Sequence, residues 1–253
     1  MSLDSFINKW GGWSEEYTFY DGEITLRYDP KEHVYLLVTE DGELETQKGV
    51  TNVCHIIDKS DALVPWGAKM MFQKLMRTIP VTETAGAYIF SHDQLEKWAL
   101  EAKSAHQEKL EEAGAIGHIA HNWVEQFIKL LLAKKHDDAF NLAQALPENE
   151  YARNACVAAL DWMAAHNVAW IETERKIYSR KYKYAGTTDG VAWVSSCGST
   201  HCQGCRGRKP WKDHLTVVDW KTSNYLYLEY LFQTAAYLQA IVEEFRKVSN
   251  GKA

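Results

Sequence analysis

The chain has 253 residues, 46% of them hydrophobic, a net charge of −6 and five cysteines. That is enough apolar material for one sizeable core, which predicts a single domain over residues 1–253. No long apolar run suggests a membrane span, the N-terminus (MSLDSFINKWGG) lacks signal-peptide layout, and an odd cysteine count fits a reducing compartment better than a secreted disulfide framework, so a cytoplasmic protein is expected.

In chain order, residues 24–28 and 34–38 flank the turn-like DPKEH and predict a β-hairpin, with a second turn at Asp41 and Gly42; residues 1–48 thus form a hairpin region. Residues 49–76 predict a turn into helical segments, with Pro65 near a helix start. Ser91 and Gln94 have capping-box spacing and open a helical stretch to about Lys135, in which Gly114 and Gly117 predict a break or a close packing contact. A further helix is expected over 149–166, which makes 49–166 a helical region. The hydrophobic period then shortens. Residues 169–178, 187–195 and 215–222 read as strands and 225–247 as a closing helix, with a cysteine-rich insertion at 196–214 inside this last region, 167–253. The predicted class is α/β or α+β, a central mixed sheet flanked by helices.

Local charge departs from the acidic average. RKIYSRKYK at 175–183 carries five basic groups with tyrosines between them, and RGRKPWK at 206–212 carries four more beside Trp211. Cations beside aromatic rings suit a phosphate backbone with unstacked bases. Arg175, Lys176, Arg180, Lys181, Lys183, Arg206, Arg208 and Lys209 are therefore candidate nucleic-acid contacts; the plain alternative is a set of solvated edges and a loop.

The segment HLTVVDWKTS at 214–223 is the most informative. Strand alternation puts Leu215, Val217, Asp219 and Lys221 on one face, so an apolar strand ends in a carboxylate beside an ammonium. Such a pair can hold Mg²⁺ or Mn²⁺ and orient a water against a phosphate, or it can be a simple ion pair. Upstream, YAGTTDGVAWV places Asp189 between Gly186 and Gly190, which permit close backbone approach. GHIAHNWVEQF sets Gly117, His121 and Glu125 on one helical face, the glycine letting the helix lie close to a sheet while the imidazole points into a site. His118 makes an HxxH pair with His121, but no HExxH motif is present. Gln233 and Tyr237 share a face of the closing helix.

Taken together these motifs resemble the PD-(D/E)xK nuclease superfamily, in its RecB-like, phage-type exonuclease branch. That branch is read from GxxxH, GTxD, (D/E)xK and QxxxY, here Gly117 to His121, Gly186 to Asp189, Asp219 to Lys221 and Gln233 to Tyr237, in the family order. ITLRYDPKEHVYLLV and GVTNVCHIIDKSDALVPW also look like the N-terminal region of phage and mitochondrial members. The resemblance implies a restriction-endonuclease-like core. It implies metal ligation by His121, Asp189, Asp219 and the Trp220 carbonyl, and Lys221 as the catalytic lysine. Gln233 and Tyr237 would hold the DNA strand or the site geometry, and Glu174 looks like the acidic residue of the preceding strand. It also implies DNA as partner, linear or single-stranded, with a homo-oligomer or a recombination protein as further partners, because relatives usually continue past the QxxxY helix into another strand. Alternatives are a catalytically silent nucleic-acid-binding protein of the same fold, and an iron–sulfur exonuclease like the CRISPR-associated relatives. The latter carry three cysteines after the QxxxY helix, where this chain has none.

The insertion CGSTHCQGCRGRKPWKD departs from the family's tight turn. Cys197, Cys202 and Cys205 have the short spacings of a structural Zn²⁺ site, with His201 or His214 as the fourth ligand, and the arginines and lysines behind them would form a phosphate-binding edge.

Overall fold

The structure is a computed structural model that describes residues 15–54, 57, 59–79, 90–199, 201–202, 204–206, 208–223 and 225–250. It opens with an antiparallel meander: β1 (Glu15–Phe19), β2 (Ile24–Asp29), β3 (Val34–Val38) and β4 (Leu44–Gly49). The expected hairpin is β2–β3, with Leu26 opposite Leu37 and Tyr28 opposite Tyr35, and Asp29 Oδ1 accepts from the N–H groups of Lys31 and Glu32 to hold its turn. Gly42 takes φ +75° in the second turn, as a tight reversal requires. β1 and β4 extend this hairpin on both sides. Their polar sequences, EEYTF and LETQKG, do not alternate cleanly, so pairing with apolar neighbours rather than pattern makes them strands.

The second half of the sheet is built on β6 (Tyr184–Val194), with β5 (Ala169–Ser179) antiparallel along one edge. Its other edge is shared. β4 pairs in parallel at Tyr184 and Ala185, and β7 (His214–Val218) pairs antiparallel from Gly190 to Val194. Between these two partners lies a short unpaired stretch of β6 that ends at Asp189. The sheet is therefore mixed, with seven strands among the described residues.

Seven helices are described: α1 (Val50–Cys54), α2 (Ser60–Thr78), α3 (His92–Lys103), α4 (Ala105–Leu132), α5 (His136–Gln144), α6 (Glu150–Ala165) and α7 (Leu228–Asn250). The capping box opens α3: Ser91 Oγ accepts from Gln94 N–H, and the Gln94 side chain accepts from Ser91 N–H. The expected break in the long helix lies at Ser104, between α3 and α4; Gly114 and Gly117 stay helical. Pro65 sits inside α2, not at its first turn. Asn149 caps α6 through its side chain.

Three apolar clusters hold these layers together. Leu26, Tyr28, Leu37 and Tyr178 fill the meander; Trp123, Ile128, Cys156 and Met163 join α4 to α6; Val50, Ile177, Val191, Tyr237 and Ile241 seat α7 on the sheet. β5 turns Arg175, Ile177 and Ser179 toward α7, and Lys176 the other way, over the rings of Tyr17 and Tyr28. Among the described residues no helix is long and apolar enough to cross a membrane.

Candidate active site and a cysteine–histidine cluster

The last β6–β7 pair is Gly190 with Val218, so the next residues along, Asp189 and Asp219, come side by side where the ladder ends. β7 is shorter than the alternation predicted, because the chain peels away after Val218. Two polar contacts shape that exit: Thr188 Oγ1 donates to the Val218 carbonyl at 2.9 Å, and Trp220 N–H donates to Asp189 Oδ2 at 2.5 Å. Lys221 then turns back, its Nζ 2.5 Å from Asp219 Oδ2 and 5.1 Å from the centroid of the Tyr230 ring. On the other side His121 Nδ1 lies 3.5 Å from Asp189 Oδ1. Four of the residues chosen from sequence thus meet at one point.

Glycines make the approach feasible. A Cβ on Gly117 would stand 3.1 Å from Thr222 Oγ1, so the bare backbone brings α4 against the segment that carries Lys221. On Gly186 it would stand 2.9 Å from Tyr237 Cε1 and 3.0 Å from Val50 Cγ2. The Gly–Thr–Thr–Asp and Gln–Tyr motifs are therefore in contact, and Gln233 Nε2 donates to Tyr237 Oη at 2.7 Å. Tyr237 is only 3% exposed and belongs to the α7 core, so its role includes packing.

The site is acidic, and Asp219 is its most deeply buried carboxylate. The Asp219 side chain is 4% exposed, and its buried Oδ2 faces the Lys221 ammonium at 2.5 Å. Burial pushes the Asp219 carboxyl above its ordinary range, against the pull of Lys221. The hydrogen bond to Asp189 raises the His121 imidazole, which burial opposes. Glu174 joins them from β5. It takes φ +51°, a left-handed conformation rare for a residue with a side chain, and lines a cleft with Gly117, His118, His121, Glu125 and Thr222. Burial first, then the charges of Asp189 and Glu125, lift its carboxyl to about 6. Glu125 itself pairs with Lys129, and His118 is exposed on the cleft wall. An adjoining opening is lined by Lys109, Tyr151, Trp220, Lys221 and Tyr230, of which Lys109 and Tyr151 carried no signal in the sequence.

Three of the five basic groups in 175–183 are engaged within the molecule and two are exposed. Lys176 is 8% exposed, its ammonium 4.6 Å from the centroid of the Tyr28 ring, and burial lowers its pKa, so it is not displayed to phosphate. Arg175 pairs with Glu172 and Glu244, and Arg180 with Glu23. Lys181 and Lys183 are exposed at the β5–β6 turn, as are Arg206, Arg208 and Lys209 in the insertion.

The insertion folds back onto the end of α6. Donor atoms of His166, Cys197, Cys202 and Cys205 all lie within 4.8 Å of one another, a group that can hold a metal ion. Cys197 Sγ is 3.5 Å from Cys205 Sγ, and Cys202 Sγ is 3.7 Å from His166 Nε2. The expected fourth ligand was a neighbour in sequence. Instead His201 and His214 are exposed and outside the cluster, and the histidine comes from the C-cap of α6. The Cys205 backbone N–H and the His166 ring lower the Cys202 thiol to about 6, toward the thiolate that binds metals.

No family model, curated protein or solved structure matches the chain.

Proposed function

We propose that the protein is a metal-dependent nuclease that hydrolyses phosphodiester bonds in DNA, an exonuclease of recombination, repair or phage type. One observation carries this reading: Asp189 and Asp219 converge from adjacent strands, with His121 beside one and the Lys221 ammonium beside the other. Two carboxylates brought this close repel each other, and a bound cation would relieve that repulsion beyond what His121 and Lys221 supply. Oxygen donors from Asp189, Asp219 and Glu174, with the His121 nitrogen and the Trp220 carbonyl, fit Mg²⁺ or Mn²⁺, hard ions that favour such sets. Bound there, the ion would polarise a phosphoryl oxygen and lower the pKa of an attacking water.

The chain's own groups supply the rest. Lys221 Nζ places a fixed positive charge at the mouth of the site, where it offsets charge developing on the phosphoryl oxygens and orients the water. Gln233 holds Tyr237, which sets the depth of α7 against Gly186 behind Asp189. Tyr151 and Tyr230 border the opening beside Lys221 and offer faces on which splayed bases stack, which supports a preference for single strands or free ends.

The test is to incubate end-labelled linear DNA and covalently closed circles with Mg²⁺ or Mn²⁺. The reading expects cation-dependent loss of linear DNA and resistance of the closed circle. Equal cutting of both would replace the exonuclease by an endonuclease. DNA binding without cleavage of either would favour a silent nucleic-acid-binding protein of the same fold.

A further inference from the structure

We infer that His166, Cys197, Cys202 and Cys205 bind one structural Zn²⁺, and that this ion staples the 196–214 insertion to the end of α6, separated from the carboxylate site by the rings of Trp162 and Trp220. The distances have the scale of a single tetrahedral ion. With Zn–S bonds near 2.3 Å, the edge between two thiolates is about 3.8 Å. The Cys197–Cys205 separation of 3.5 Å is close to that edge, and the Cys202–His166 separation of 3.7 Å is close to the thiolate–imidazole edge of about 3.6 Å. A multinuclear iron–sulfur cluster places its protein ligands on different irons and so holds them further apart. Four donors within 4.8 Å leave room for one ion.

The histidine is prepared for the role. It is 5% exposed, and its Nδ1–H donates to the Ser195 carbonyl at 2.8 Å, which leaves Nε2 bare and facing the sulfur of Cys202. Fixing one ring nitrogen on a carbonyl so that the other can ligate is the usual support of a metal-bound histidine. Ser195 N–H also donates to the His166 carbonyl, so Ser195, just past the end of β6, grips this residue twice. The sulfurs are arranged by a tight turn in which the N–H groups of Cys205 and Arg206 both reach the Cys202 carbonyl. A Cys197–Cys205 disulfide would leave Cys202 and His166 without a purpose, whereas one ion uses all four. Three thiolates and an imidazole select a soft or borderline metal over Mg²⁺, and four protein ligands close the coordination sphere, so this ion is structural.

Its position gives it a consequence. The His166 ring is 5.2 Å from Trp162, Trp162 meets Trp220 edge-on at 5.6 Å, and Trp220 N–H holds Asp189. Loss of the ion loosens the wall on which Trp220 rests and leaves Arg206, Arg208 and Lys209 without a fixed base.

Elemental analysis of the full-length chain, purified without chelator, tests this independently of any nuclease activity. About one zinc per chain is expected in the wild type, in His201→Ala and in His214→Ala, falling below about 0.2 in His166→Ala after dialysis. His166→Cys keeps four soft donors and should retain the ion, which separates ligand loss from misfolding. Replacement by Co²⁺ should give the intense visible bands and thiolate charge transfer of a tetrahedral sulfur-rich site. Wild-type protein with no metal and three freely reacting thiols overturns the proposal. So does stoichiometric iron in place of zinc, or zinc lost from His214→Ala but kept by His166→Ala.

Discussion

The backbone N–H of Trp220 donates to the carboxylate of Asp189 at 2.5 Å, so the residue between Asp219 and Lys221 fastens the two site-bearing segments to each other. Asp189 thus has a structural bond on one oxygen and a chemical task on the other, which faces His121. Asp189→Asn keeps an acceptor for Trp220 and removes the charge. Its expected outcome is turnover about 10²-fold lower or worse, a loss of about 3 kcal/mol or more of transition-state stabilisation, with a melting temperature close to wild type. Asp189→Ala should lose both. Single-turnover kinetics beside thermal melts of the two variants separate these effects; an active Asp189→Asn would remove the charge from the mechanism.

Glu174 gives a pH dependence with a definite sign. Its folded pKa is raised to about 6 by burial and by neighbouring carboxylates, so the fold favours the protonated form. The associated stability is present below the ordinary carboxylate pKa and is lost as pH rises through about 6. Glu174→Gln is neutral throughout. Without added divalent cation it should be more stable than wild type at pH 7, by about 1 kcal/mol once solvent screening of a partly exposed carboxyl is allowed for, and nearly equal to it at pH 4.5. Melting curves at the two pH values check this; equal offsets at both would mean that charge is not the cause.

Gly186 and Tyr237 predict a packing defect. A methyl group at Gly186 meets the Tyr237 ring at 2.9 Å and Val50 at 3.0 Å, so Gly186→Ala should destabilise by about 1–3 kcal/mol in chemical denaturation. Tyr237→Ala should cost about 3–5 kcal/mol, the usual price of emptying a buried aromatic position. Gln233 is half-buried and bonded to the Tyr237 hydroxyl, so Gln233→Ala should lower turnover while costing only about 1 kcal/mol of stability. Wild-type turnover in that variant would leave Gln233 a purely structural partner of Tyr237.

Much of this arrangement was legible in local pattern. Ser91 and Gln94 announce a helix start, the glycines beside Asp189 and before His121 announce close approach, and Asp219 with Lys221 announces a charged strand end. What stayed hidden depends on partners distant in sequence. β1 and β4 are polar and become strands through their neighbours. Lys176 reads as an exposed cation until the rings of Tyr17 and Tyr28 close over it. His166 carries no spacing signal toward cysteines 31 or more residues away, and only the return of the insertion to the α6 C-cap brings them together. The break at Ser104 has no glycine or proline to mark it; there the serine hydroxyl bonds to the Glu101 carbonyl and the Glu108 carboxylate.

The proposed nuclease is tested most directly by measuring cation-dependent turnover of end-labelled linear DNA by wild type and Lys221→Ala, each normalised to folded protein. Lys221 Nζ is the positive charge bound to Asp219 at the mouth of the site, and its removal leaves the two aspartates in the chain. The account predicts cleavage by wild type that requires Mg²⁺ or Mn²⁺ and falls about 10²-fold or more in Lys221→Ala. Cleavage at the wild-type rate by Lys221→Ala, or none by wild type with either cation, would contradict it.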